Sequence, residues 1–199
     1  MDYITFLNRL KKEGVSVFTL QDVEALFPQE NRKTIKNNLT NWVKKEHITR
    51  LKKNVYECTQ PGEKNTPEYY IANRLYQPSY ISRESALSFY NILPEETAEV
   101  TSVTTKPTRK IKNKYGTFTY KTIKKKAYNG YKIMNIEGEK TLIADREKAF
   151  TDFIYYRLLD GQQDFKNERL DTSNISLKKA GEYAKQYNNK TVDALRKIL

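Results

Sequence analysis

The stretch TLQDVEALFPQENRKTIKNNLTNWVKKEHITRLKKNVYE, Thr19 to Glu57, carries the reading on which the fold turns. Thr19 followed three residues later by Asp22 has the form of a capping box. It opens a short helix whose apolar positions are Leu20, Val23, Leu26 and Phe27, and Pro28 ends it. After the turn at Gln29, Glu30 and Asn31, a longer helix is predicted from Arg32 to Glu46. Its apolar residues Ile35, Leu39, Trp42 and Val43 stand at i, i+4, i+7 and i+8, which is one buried stripe. Ile48 to Thr59 then alternates apolar and polar residues around Lys53 and Asn54, and Asn accepts the left-handed backbone that a tight hairpin requires.

Upstream, residues 2 to 13 place Ile4, Leu7 and Leu10 on one helical face, with Gly14 as the stop. Three helices followed by a basic hairpin make a winged helix-turn-helix over residues 1–60. Residues 61–67, with Pro61, Gly62 and Pro67, read as a linker, and residues 68–199 as a second domain. There, Pro67 to Leu75 starts a helix, Ser82 is placed to cap another through Ala86, Leu87 and Phe89, and Pro94 closes that segment. From 99 to 144 the period falls to two, as a curved antiparallel sheet requires. A helix at 146–159, with Ala149, Phe150, Phe153, Ile154 and Leu158 inward, is expected to cover it. Two short helices separated by Asn188 and Asn189 complete the chain. The class is α+β: a winged helix-turn-helix plus a mixed domain whose curved antiparallel sheet is packed by helices.

The chain has 199 residues, 38% of them apolar and 12% aromatic, enough for a packed core. One cysteine, Cys58, excludes an internal disulfide framework, and Cys58 with the lone His47 makes no metal cage. His47, at the end of the longer helix, is plainly explained by the helix dipole. Without an 18-residue apolar run or a signal-peptide pattern the expectation is a cytoplasmic protein that does not cross a membrane. Seven glycines form no phosphate-cradling loop. Asp145, Glu147 and Asp152 look like a carboxylate cluster, but Arg146 and Lys148 interleave them as in a helix start with ion pairs. The chain is therefore read as a non-enzyme without a cofactor, catalytic residue or metal site.

The net charge is +12, and most of the excess lies between Val100 and Ile136, where ten basic residues meet no Asp or Glu. That balance points to a polyanion. Lys106, Arg109, Lys110, Lys112, Lys114, Lys121, Lys124, Lys125 and Lys126 form the expected patch; strand alternation would project many of them from one face of the sheet or from hairpin tips. A phosphate-contacting surface, a docking surface for an acidic partner and a solvated lysine face all remain open. Base reading is placed elsewhere. A helix fits the major groove, and Arg32, Lys33, Thr34, Lys36, Asn37, Thr40, Asn41 and Lys44 on the third helix are of the types that bond base edges and phosphates. Arg50, Lys52 and Lys53 would supply the wing, so these eleven residues are the candidate readers of double-stranded DNA. A winged helix that serves only as a protein docking module is the competing reading.

Four short motifs add a resemblance: SYISRESALSFY (Ser79–Tyr90), TSVTT (Thr101–Thr105), YGTFTY (Tyr115–Tyr120) and REKAFTD (Arg146–Asp152). In order and spacing, together with the N-terminal winged helix, they resemble the AbiEi family, antitoxins of type IV toxin–antitoxin systems in abortive phage infection. The resemblance implies a repressor that binds inverted repeats in its own promoter, so that two copies, as a homodimer or as cooperating monomers, read the two halves. It also implies a second domain, roughly Glu68 to Leu199, that counteracts a nucleotidyltransferase-like toxin. A solitary regulator or docking module without a toxin is the alternative. The motif residues look fold-defining: Ser82 as a cap, Ala86 and Leu87 as packing, Gly116 as a turn.

Overall fold

The computed structural model describes residues 1–58, 66–95, 97–162, 164–165 and 168–198, and the chain divides into two compact units, Met1–Leu75 and Tyr76–Leu199. The first unit runs α1 (Tyr3–Glu13), β1 (Val17–Thr19), α2 (Leu20–Leu26), α3 (Arg32–Lys44), β2 (Thr49–Lys52), β3 (Val55–Glu57) and α4 (Glu68–Leu75). Its three strands lie in the order β1-β3-β2, all antiparallel. This is the helix, strand and hairpin sequence of a winged helix-turn-helix.

Local chemistry explains each start and stop. Asp2 caps α1 by accepting from Thr5 N at 2.9 Å, and Gly14, at φ 63°, ends it in the left-handed conformation. The capping box at α2 is complete: Asp22 N donates to Thr19 Oγ1 at 3.1 Å, and Thr19 N donates to Asp22 Oδ2 at 2.7 Å. Asn31 caps α3 through Lys33 N at 2.7 Å. Asn54, at φ 63°, makes the wing turn.

The core gathers Phe6, Leu10, Phe18, Leu20, Val23, Ile35, Leu39 and Trp42. The face of α1 differs from expectation: Ile4 is 69% exposed, Leu7 is half-buried, and Phe6 is buried instead. An aromatic cluster decides this, since Phe6 lies 4.7 Å from Trp42 and 5.3 Å from Phe18. Strand β1 has no counterpart in the sequence reading, because three residues are too few to show a period. His47 stacks on Tyr3 at 4.7 Å, and its carbonyl accepts the Tyr3 hydroxyl at 3.2 Å.

The domain boundary also shifts. The expected linker at 61–67 falls largely outside the described residues, and α4, read as the start of the second domain, groups with the first. Arg74 ties it there, donating to Val17 O at 3.0 Å and to Asp22 at 2.5 Å.

The second unit comprises β4 (Ser79–Ile81), α5 (Arg83–Phe89), β5 (Glu99–Thr104), β6 (Arg109–Asn113), β7 (Gly116–Thr122), a 3-10 turn (Lys125–Ala127), β8 (Tyr131–Ile136), β9 (Glu139–Ala144), α6 (Arg146–Leu159), α7 (Leu177–Ala184) and α8 (Asn189–Ile198). Six strands form one sheet in the order β6-β7-β5-β4-β9-β8. The sheet is mixed, which corrects the antiparallel expectation: β5 pairs with β7, and β4 with β9, in parallel. Alternation reports faces, not neighbours, so strand direction was invisible to it. The expected helices at 146–159 and in the tail appear as α6, α7 and α8, although Leu158 is only half-buried.

Candidate nucleic-acid interface

At 3.6 residues per turn, Lys33, Lys36, Asn37, Thr40 and Lys44 fall on the face of α3 opposite Ile35, Leu39 and Trp42, with Thr34 and Asn41 along one flank. Arg32, Lys33, Thr34, Lys36, Asn37, Thr40, Asn41 and Lys44 are all exposed, as are Arg50 and Lys53, while Lys52 is half-buried. The helix contains no acidic residue, so its outward face is uniformly basic and polar.

Internal contacts divide this set. The Arg32 guanidinium is held by Glu24 of α2 at 3.1 Å, which turns the first candidate reader towards its own scaffold. The Thr40 hydroxyl donates to Lys36 O at 2.8 Å, a back-bond that occupies its only donor. Arg50 Nε reaches Lys52 O at 3.4 Å across the β2 end of the wing, where the register with β3 shifts between Arg50 and Lys52. Lys33, Lys36, Asn37 and Lys44 remain the outermost groups of the helix.

The lysine patch belongs to the second unit and does not form one face. Arg109, Lys110 and Lys112 lie on β6, the edge strand, with Arg109 on one face and Lys110 and Lys112 on the other. Lys114 stands in the β6–β7 turn, 4.7 Å above the Tyr115 ring. Lys106 and Arg109 both lie over the ring of Tyr76, at 5.6 and 5.4 Å. Lys124, Lys125 and Lys126 sit at the 3-10 turn and are exposed. Acids from outside the acid-free window enter in space: Lys110 pairs with Glu99, and Lys121 lies 3.7 Å from Asp160. The window is thus less one-sided in space than along the chain.

The carboxylates around α6 do three separate jobs. Asp145 caps the helix through Lys148 N at 2.8 Å and accepts from Tyr183 at 2.7 Å. Glu147 pairs with Lys179 at 3.0 Å. Asp152 is fully buried, 2.7 Å from Lys148, and also accepts from Tyr80 at 3.1 Å, Ser82 at 2.6 Å and the hydroxyl of Tyr187. Ser82 therefore does not cap α5 as expected, because its hydroxyl is spent on Asp152. Burial, and then the Asp152 charge, push the Tyr80 and Tyr187 hydroxyls well above the ordinary tyrosine range. Among the described residues no three His, Cys, Asp or Glu side chains converge as metal ligands would.

Three of the motifs quoted above meet in this network and around it. Tyr80 and Ser82 come from the first and Asp152 from the last. Thr101, from the second, donates to Ser82 O at 2.6 Å and accepts from Ser85 N at 3.0 Å. The buried lysine was the member that the sequence concealed; its i, i+4 spacing to Asp152 was the only signal. Arg83 was equally hidden: it stands at φ 59°, its guanidinium 3.1 Å from Glu84 and over the Tyr156 ring at 5.2 Å.

No protein-family model matches this chain, and no curated protein is significantly similar to it.

Proposed function

We propose that this chain is a DNA-binding repressor that reads inverted repeats in its own promoter through α3 and the β2–β3 wing, and that it serves as the antitoxin of a type IV, abortive-infection pair. The observation that carries the DNA-binding part is the acid-free outer face of α3, exposed from Lys33 to Lys44 beside a basic wing. Lysines supply salt-dependent capture on phosphates, and Asn37, with its paired donor and acceptor, is suited to an adenine edge. The antitoxin part rests on the motif resemblance, with a nucleotidyltransferase-like toxin as the opposing partner. The chain acts by binding, not by catalysis, in the cytoplasm.

The test is a mobility-shift titration on the DNA upstream of the chain's own gene, against scrambled DNA. If about six phosphates are neutralised, affinity falls by roughly 10³-fold between low and moderate salt. Equal retention of both DNAs, or binding indifferent to salt, refutes the repressor. Co-expression with the neighbouring open reading frame tests the antitoxin role: growth arrest that the chain does not relieve removes it. A docking platform that meets an acidic protein, its DNA binding incidental, is the second reading, favoured by the exposed Lys124–Lys126 turn. Replacing those three lysines by Glu would then abolish partner binding and leave operator affinity unchanged.

A further inference from the structure

We infer that two copies of this chain associate through the open edge of β8, antiparallel and centred on Ile133. The two edges of the six-stranded sheet differ. Strand β6 carries Arg109, Lys110 and Lys112 in five residues, and such charge blunts an edge against pairing. Strand β8, Tyr-Lys-Ile-Met-Asn-Ile, has Lys132 as its only charge and pairs with β9 in unbroken register over all six residues, without a bulge. Ile133 is 68% exposed and Tyr131 37%.

Backbone direction sets the register. Asp145 N donates to Gly130 O at 2.9 Å, so Gly130 faces β9, and alternation turns Lys132, Met134 and Ile136 the same way. The two-residue turn Glu137-Gly138, with both φ values positive, agrees, because such a turn is flanked by a hydrogen-bonded pair, here Ile136 and Glu139. The N–H and C=O groups of Tyr131, Ile133 and Asn135 therefore point to the open side. A two-fold axis must match outward residues with outward residues. Centred on Ile133, it sets Ile133 beside its own copy, Tyr131 opposite Asn135 and Lys132 opposite Met134, so no lysine faces its like. The strand is also held ready: the Tyr131 ring stacks on Tyr80 at 4.8 Å and 17°, and meets the Tyr128 ring at a tilt of 56° and 5.3 Å.

A second copy is the occupant that the charge favours. At +12, two chains repel over most of their surface, and the nearly neutral β8 is where they approach at least cost. An acidic partner would be drawn instead to β6 and the lysine turns. A six-residue edge buries less than the roughly 1,200 Å² of a stable complex, so the association is weak and concentration-dependent. It does not depend on the DNA-binding reading, and it is tested without DNA.

Sedimentation of the full chain over a roughly 100-fold concentration range should show the mean mass rising towards the dimer, and more so at high salt, where repulsion is screened. Salt would weaken DNA binding, so the two phenomena separate. Ile133→Lys should remove the rise while far-UV circular dichroism and the melting temperature stay unchanged, since the side chain is exposed. Ile133→Cys should give a crosslinked dimer with a short bismaleimide, whereas Lys112→Cys on the other edge should not; Cys58 is buried. A monomer at every concentration overturns the inference and leaves the edge to a strand of another protein. Association untouched by Ile133→Lys, or equal crosslinking at both positions, also overturns it.

Discussion

Lys148 and Asp152 stand one turn apart on α6, their charged ends 2.7 Å from each other, and neither side chain is exposed at all. Two charges at that depth survive only because Tyr80, Ser82 and Tyr187 complete the carboxylate's hydrogen bonds. Replacing one partner strands the other: Asp152→Asn or Lys148→Met should cost about 3–5 kcal/mol in urea unfolding. The double variant Lys148→Met with Asp152→Asn should recover much of the loss, because it removes both charges and keeps an amide oxygen to accept from the buried hydroxyls. A double variant as unstable as the singles would locate the cost in packing instead.

Gly130, at φ 71°, lies against the ring of Tyr183, which a Cβ at that position would meet at 2.7 Å. The same Tyr183 hydroxyl holds the α6 cap Asp145. Gly130→Ala combines a strained backbone with a clash, and should lower stability by about 1–3 kcal/mol. In a Tyr183→Ala background, which itself loses the bond to Asp145, Gly130→Ala should cost less by the part due to the clash, and calorimetric melting of the two single variants and the double variant measures this.

Tyr80, Tyr120, Tyr156 and Tyr187 have their hydroxyl pKa values raised by burial, with the Asp152 charge adding to the effect at Tyr80, Tyr156 and Tyr187. Above the ordinary tyrosine value of about 10, the unfolded chain loses these protons and the folded chain keeps them. Stability is therefore fully present below pH ~10 and falls as pH rises, by about 1.4 kcal/mol per pH unit for each tyrosine that stays neutral. Urea midpoints between pH 8 and about 11 follow this, and Tyr120→Phe should make the slope shallower.

On α3, Asn37→Ala should reduce discrimination between operator and scrambled DNA by about 1–3 kcal/mol, whereas Lys33→Ala should weaken both and lower the salt slope by about 1. Arg32→Ala should matter less than either, because Glu24 already holds its guanidinium. Fluorescence anisotropy at several salt concentrations distinguishes the three.

The Thr19 and Asp22 capping box sits where α2 leaves β1. Thr19→Ala should cost about 1 kcal/mol. A shift in melting temperature with no change in DNA discrimination would confine its role to the scaffold.

Elements built on local signals were legible in the sequence. The capping box at Thr19, the stripe Ile35–Leu39–Trp42, the left-handed Asn54 and the bounds of α6 all follow from neighbours within a few residues. The basic face of α3 was legible for the same reason: a helix period assigns every side chain to core or solvent once its apolar stripe is known. Strand β1 was too short to show a period, and Phe6 displaced Ile4 because its ring partners Phe18 and Trp42 come from other elements.

The sequence by itself determined the class, the winged helix, the basic outer face of α3 and the excess of positive charge, since these depend on spacing, turn chemistry and composition. Only the tertiary structure decided which strands run parallel, that α4 belongs with the first unit, that Glu24, Glu99 and Asp160 meet basic residues distant in the chain, and that Lys148 is buried. The physical reason is the same in each case. Pairing direction, ion pairing and desolvation depend on distances between residues far apart in sequence, and only the folded chain sets those distances.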